Sequence, residues 1–251
     1  MQLDEKWAFV GKKQKNCDPD NPDDARQGDN WDHVALDSES RLVLSVVPGK
    51  RTGENTKQLV RDMRKRTGGK PPRLITSDEY RPYKTAILDA YGQEVIPART
   101  GKRGRPRAPY KLAPADLNYA VAHKTRENGR VVKMEEKVIF GNEATVQAAL
   151  EQSKASRKIN TAFVERNNGT DRNRNARKVR HTYCFSKDWH IHDAVTYFTM
   201  YNYNFCWPVR TLRKKDEQGR WQARTAAMVA GLTDHVWSLA EWITHTAVQR
   251  K

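Results

Sequence analysis

The sequence predicts an α/β fold, from three observations. Short β-branched and aromatic runs open the chain at hairpin spacing, strand-like and helix-like segments then alternate, and the late segments are helical. The 251 residues hold 46 Lys+Arg against 30 Asp+Glu, a formal charge of +16, and the pI is about 9.8. Such a balance points first to a polyanionic partner. A chain this long buries roughly 70–75% of the surface its unfolded form exposes, enough for one large domain or two small ones. With 7 Trp, 9 Tyr and 6 Phe it is too aromatic for a disordered basic tail.

The elements follow in chain order. Lys6-Trp-Ala-Phe-Val-Gly-Lys12 is aromatic and β-branched and ends at Gly, as a strand does. A polar loop from Asn16 to Asn30 leads to Trp31–Asp37 and Arg41–Val47, which flank Ser38-Glu39-Ser40 as a hairpin. Three antiparallel strands therefore open the fold. Leu59 and Met63 lie four apart in a charged helix over residues 54–66, stopped by Gly68-Gly69. Arg73–Ser77 is a strand and Arg81–Tyr91 a helix ended by Gly92, and this alternation implies a mixed sheet whose fourth strand lies parallel to the first.

The remainder divides by composition. Residues 1–97 form the first part of the main domain. Residues 98–150 are a basic insertion with a hairpin around Glu127-Asn-Gly-Arg130, and residues 151–251 are the helical C-terminal part. Helices are expected over 142–153 and 160–180. Another is expected from an N-cap at Ser186 to Pro208, its core stripe being Ile191, Val195, Phe198, Tyr201 and Phe205. A Ser238-Leu-Ala-Glu241 capping box opens a last short helix.

Cys17, Cys184 and Cys206 are distant and odd in number, which disfavours a disulfide framework or zinc ribbon. No apolar run reaches the roughly 18–20 residues of a membrane span, and the N-terminus lacks a secretory core. The expected compartment is the cytoplasm, in association with the nucleoid if the source is bacterial.

Three acids stand at the edges of the expected core: Asp4, Asp78 just after the fourth strand, and Glu165 on a late helix. Carboxylates suit Mg²⁺, and two such ions roughly 3.5–4 Å apart promote in-line displacement at phosphorus. Spacing alone carries little, because 30 acids supply many such triplets. Glu5 and Glu79 adjoin two of the three, but strand alternation lets only one of each pair face a site. Asp37 is ordinary turn chemistry. The helix of Glu165 shares its face with Asn168, Gly169 and Arg172, a carboxylate, an amide and a guanidinium that fit metal and phosphate.

Arg166, Arg174, Arg177, Lys178 and Arg180 extend that positive charge. A second basic block contains Arg99, Lys102, Arg103, Arg105 and Arg107, and Arg103-Gly-Arg-Pro106 is similar to an AT-hook core. A flexible loop touching phosphates without sequence preference fits equally. His190 and His192, two apart, do not share a helix face, so a two-histidine metal site is disfavoured. Trp189, Tyr197, Tyr201, Tyr203 and Trp207 are candidates for stacking on bases or for filling the core.

Four landmarks in order add a resemblance. Leu3-Asp-Glu-Lys-Trp-Ala-Phe-Val-Gly-Lys-Lys13, His33-Val-Ala-Leu-Asp37, Ile75-Thr-Ser-Asp-Glu-Tyr80, and Val164-Glu-Arg-Asn-Asn168 with Arg177-Lys-Val-Arg180 and Phe185-Ser-Lys187 resemble the catalytic domain of bacterial DDE transposases. The nearest group is the one typified by insertion sequence one. The resemblance implies an RNase H-like fold with Asp4, Asp78 and Glu165 as its metal-binding catalytic triad. It also implies Mg²⁺ or Mn²⁺ as two ions, element-end and target DNA as partners, and a homo-oligomer on DNA. Family members carry a DNA-end reader before the catalytic strand, so a separate recognition module or reading frame is expected to supply it. Two other readings stay open: a catalytically inactive or inhibitory DNA-binding remnant, and an RNase H-like nuclease.

Overall fold

The computed structural model describes residues 1–98 and 107–245. Its main sheet contains β1 (Gln2–Val10), β2 (Gly28–Leu36), β3 (Val43–Gly49), β4 (Ile75–Ser77), β7 (Tyr119–Glu127) and β8 (Arg130–Phe140), ordered β3-β2-β1-β4-β7-β8. β4 runs parallel to β1 and to β7, whereas β2/β3 and β7/β8 are antiparallel. The architecture is therefore mixed α/β, as expected. Two short ribbons accompany it, β5 (Gln93–Val95) with β6 (Tyr110–Leu112) and β9 (Lys214–Lys215) with β10 (Trp221–Gln222). By contact density the chain divides into two units, residues 1–3 with 52–161 and residues 4–51 with those from 162 on.

In the first unit, α1 (Gly53–Arg66) starts where the Thr52 hydroxyl accepts from the Asn55 amide at 3.2 Å. Its buried residues Thr56, Leu59, Val60 and Met63 recur at helical spacing and form one inward face. They pack against α2 (Pro82–Tyr91), which buries Tyr83, Ala86, Ile87 and Ala90. All three residues of β4 are buried, as a strand with parallel neighbours on both edges requires. Asn128 and Gly129 both take positive φ, 48° and 78°, and close β7 onto β8 in the two-residue turn that Asn-Gly favours.

The hairpin expected within residues 98–150 joins the main sheet. β7 pairs with β4, and Ala120 and Ala122 are buried with Ile159 and with Val146 and Leu150 of α3 (Glu143–Gln152). The hairpin is legible from its turn, but its place in the sheet is not, because the parallel partner of β7 is about forty residues upstream, beyond any local pattern. Of the basic block, Arg99, Lys102, Arg103 and Arg105 lie outside the described residues.

In the second unit, Val34, Leu36, Val43 and Val46 of the β2–β3 hairpin meet Val164 of α4 (Ala162–Arg174), Met200 and Tyr203 of α5 (Trp189–Cys206), and Ala226 of α6 (Ala226–Val229). Arg41 adopts φ 64° near the hairpin turn and lays its guanidinium 3.6 Å from the centre of the Phe163 ring. Asn204 treats β3 as a strand partner would: it accepts from Val43 N–H and donates to Val43 C=O, both at 2.9 Å and both buried. Asn204→Leu strands both backbone groups, so we expect a loss of about 2–4 kcal/mol in urea unfolding.

Two helix expectations are corrected. α4 ends at Arg174, and a 3₁₀ turn at Ala176–Lys178 replaces the continuous helix to residue 180, because that break turns Lys178 inward. α5 is capped by Asp188, which accepts from Ile191 N–H, rather than by Ser186. Its inward face is His192, Thr196, Met200 and Tyr203, while Ile191 and Phe198 of the expected core stripe are 50% and 40% exposed. Beneath its N-terminal half the interior is charged, so His192 and Thr196 face inward there, whereas Met200 and Tyr203 join the apolar core. The last helix, α7 (Leu239–Thr244), does begin at Ser238, whose hydroxyl accepts from Glu241 N–H. Among the described residues no helix is long and apolar enough to cross a membrane.

Candidate active site and nucleic-acid interface

β1 presents its residues alternately to its two faces. Glu5 turns one way and pairs with Arg51 at 2.8 Å. Asp4 turns the other way, and its Oδ2 accepts from Asn168 Nδ2 of α4 at 2.8 Å. Lys6, on the same face as Asp4, is fully buried between Asp32 of β2, at 3.2 Å, and Asp171 of α4. Lys178 approaches the same Asp32 oxygen at 2.5 Å and also donates to Thr196 of α5. Two ammoniums and two carboxylates thus form a charge-neutral buried group that ties β1, β2, α4 and α5 together. Burial alone would raise the Asp32 carboxyl, but Lys178 and Lys6 hold it well below the usual carboxylate range.

Beside this group, His192 bonds the Ser186 hydroxyl through Nδ1 at 2.8 Å. Burial, reinforced by Lys178, lowers the imidazole to about 4, so it is neutral at pH 7. Asp193 is pushed the other way, to about 6, by burial and by Asp32. Between its unfolded value and that raised value the folded state holds the extra proton, so Asp193 withdraws stability as pH rises from about 4 to 6. Asp193→Asn should therefore be more stable relative to wild type at pH 7.5 than at pH 4.5, a difference that urea unfolding at the two pH values will measure.

Glu165 is exposed on α4, and Asn168, one turn on, is 3% exposed. Arg172, on the same face, is half-buried and donates to the Trp7 carbonyl of β1 at 3.3 Å. The α4 face that carries Glu165 is thus the face laid along β1. Asp78 belongs to the first unit, half-buried just after β4. Its Oδ1 accepts from Tyr80 N–H at 3.3 Å, and Ser77 Oγ donates to its backbone carbonyl at 2.6 Å. Three carboxylates with at least partial solvent access are the donors a hard divalent cation takes, so the chemistry of the set fits Mg²⁺. Among the described residues, no three His, Cys, Asp or Glu side chains are gathered into a ready-made metal cluster.

Two expected DNA contacts are corrected. Lys178 is buried and spent on Asp32, and Asn168 is buried and spent on Asp4, so neither can reach a phosphate. Arg107, Arg166 and Arg180 are exposed, and Arg177 is half-buried. Arg174 stacks 4.4 Å from the Trp207 ring centre and donates to Asn202. Of the aromatic candidates, Tyr203 is buried in the core and Tyr197 stacks on Tyr201. His192 is 1% exposed. Glu79 pairs with His123 at 2.6 Å, and Asp37 accepts from the Ser40 and Glu39 amides, the turn role its position suggests.

Sequence reasoning missed Lys6, Asp32 and Asp171. A signal existed for the first two: a Lys alternating with Ala8 and Val10, and an Asp within a strand, where Asp is depleted. Asp171, in a helix crowded with charge, offered none. No protein-family model matches the chain, and neither does any curated protein or solved structure.

Proposed function

We propose that this chain is the catalytic part of a DNA transposase with an RNase H-like fold, acting by metal-dependent phosphoryl transfer through Asp4, Asp78 and Glu165. One observation supports the reading above the others: Asn168 links the Asp4 carboxylate to α4 one turn from Glu165.

Mg²⁺ or Mn²⁺, held as two ions by Asp4, Asp78 and Glu165, would supply charge neutralisation and a more nucleophilic attacking oxygen. The protein's own residues position. Asn168 fixes the orientation of the Asp4 carboxylate, and the buried Lys6–Asp32–Lys178 group keeps β1 in place beneath it. The Asp78 backbone is held by Ser77, whose hydroxyl is bonded in turn to the Tyr119 hydroxyl at 2.8 Å. Arg107, Arg166 and Arg180 meet DNA phosphates and give salt-dependent affinity. DNA ends and target are the substrates, and a homo-oligomer is the acting form.

The test incubates purified protein with end-labelled DNA from the regions flanking its gene, with Mg²⁺ or Mn²⁺. Joined products support transposition. Nicks without joining favour an RNase H-like nuclease, and binding with neither favours an inactive or inhibitory remnant.

A further inference from the structure

Beside Asp78 the first unit holds an open pocket of about 490 Å³, within the range of roughly 300–1,000 Å³ typical of small-molecule sites. Its floor is apolar: Tyr119 and Val121 are almost fully buried, and Ile139 is half-buried. Its rim is cationic, formed by Arg81 and Lys84 of the α2 segment and by Lys137 of β8. All three are exposed, and among the described residues none has a carboxylate partner. The one acid in the lining, Glu79, is engaged by His123. Tyr80 closes the side next to Asp78, its ring set edge-on to Tyr83 at 5.7 Å.

An apolar recess ringed by unpaired cations selects an anion with a flat apolar part. Simple phosphate would leave the floor unused, and an apolar ligand would leave the cations unused. A nucleotide uses both, its base against the floor and Tyr80 and its phosphate at the rim. The recess is concave, so a base still stacked and paired in a duplex cannot enter it. We infer that this pocket binds an unpaired nucleotide of the DNA strand being processed at Asp78. The inference rests on the proposed function for the identity of the strand, but nucleotide binding itself stands on the pocket alone.

The experiment measures fluorescence anisotropy with a labelled single-stranded 12-mer and the matching duplex, in EDTA and about 0.1 M NaCl. Lys84→Glu with Lys137→Glu should weaken single-strand binding at least tenfold and duplex binding less than threefold, and Tyr80→Ala should weaken single-strand binding about tenfold. Equal weakening of both DNAs, or no change in either, would overturn the inference. The altered cationic side chains are exposed, and a thermal melt matching wild type confirms folding. Asp78→Asn separates the two ideas. If it loses cleavage but keeps single-strand affinity, both hold; if wild type neither nicks nor joins while the pocket variants still lose single-strand binding, only the catalytic reading fails.

Discussion

Asp4→Asn, Asp78→Asn and Glu165→Gln should each lower DNA cleavage and joining by on the order of 10²–10³ or more, while leaving DNA affinity within about threefold. Each substitution removes a negative charge that a divalent ion requires but keeps the shape of the side chain. Asp4→Asn also keeps an oxygen able to accept from Asn168, so the β1–α4 link survives and the change reports on charge. Neither Asp78 nor Glu165 belongs to the buried ionic group, so their variants should melt near wild type. Labelled-DNA cleavage, run beside an affinity measurement and a thermal melt, separates these outcomes. A cleavage rate that stays within threefold for all three variants would remove the triad from the chemistry.

The second large effect is on stability. Lys178→Met leaves Asp32, a fully buried carboxylate, with Lys6 alone, and losing one partner of a buried ion pair costs about 3–5 kcal/mol. The double variant Lys178→Met with Asp32→Leu removes charge of both signs and should recover part of that loss, although Lys6 then keeps only Asp171. The pH signature follows from the depressed Asp32 carboxyl. In wild type its contribution is complete above the unfolded carboxylate value, about 3.9, and fades as pH falls towards the folded value. Without Lys178 the folded value climbs, so the variant should lose less stability than wild type on acidification below pH 4. Urea unfolding at pH 7 and across the acid range measures both effects. A cost below 1 kcal/mol at pH 7 would mean that the buried group does not hold these elements together.

The fold was most legible where the signal is local. Ser38–Ser40 and Asn128-Gly129 mark their hairpins through turn chemistry, and α1 shows one apolar face stopped by glycines. Legibility failed where the partner is remote or the interior is polar. β7 reads as one arm of a hairpin, and its parallel pairing with β4 is what the local pattern does not show. α5 misleads through apolar periodicity, because Thr196 on its inward face serves Lys178, while Ile191 and Phe198 of the expected stripe stay exposed and Tyr201 packs against the core only in part. For the same reason Lys178 and Asn168 read as DNA contacts: sequence shows a run of charge and amides but not which members turn inward. The acids of the candidate site are legible only through motif resemblance. The hydrogen bond from Asn168 to Asp4 is what the structure adds to that list.

The proposed function requires that Asp4, Asp78 and Glu165 hold the same divalent ions. Fe²⁺ exchanged into the Mg²⁺ sites, with ascorbate and peroxide, generates hydroxyl radicals that cut the backbone beside the ligands, and mass spectrometry locates the cuts. Cuts clustered near residues 4, 78 and 165, suppressed by excess Mg²⁺ and lost in Asp78→Asn, are the expected result. Cuts at unrelated positions, or cuts at only one of the three that Mg²⁺ does not suppress, would contradict it.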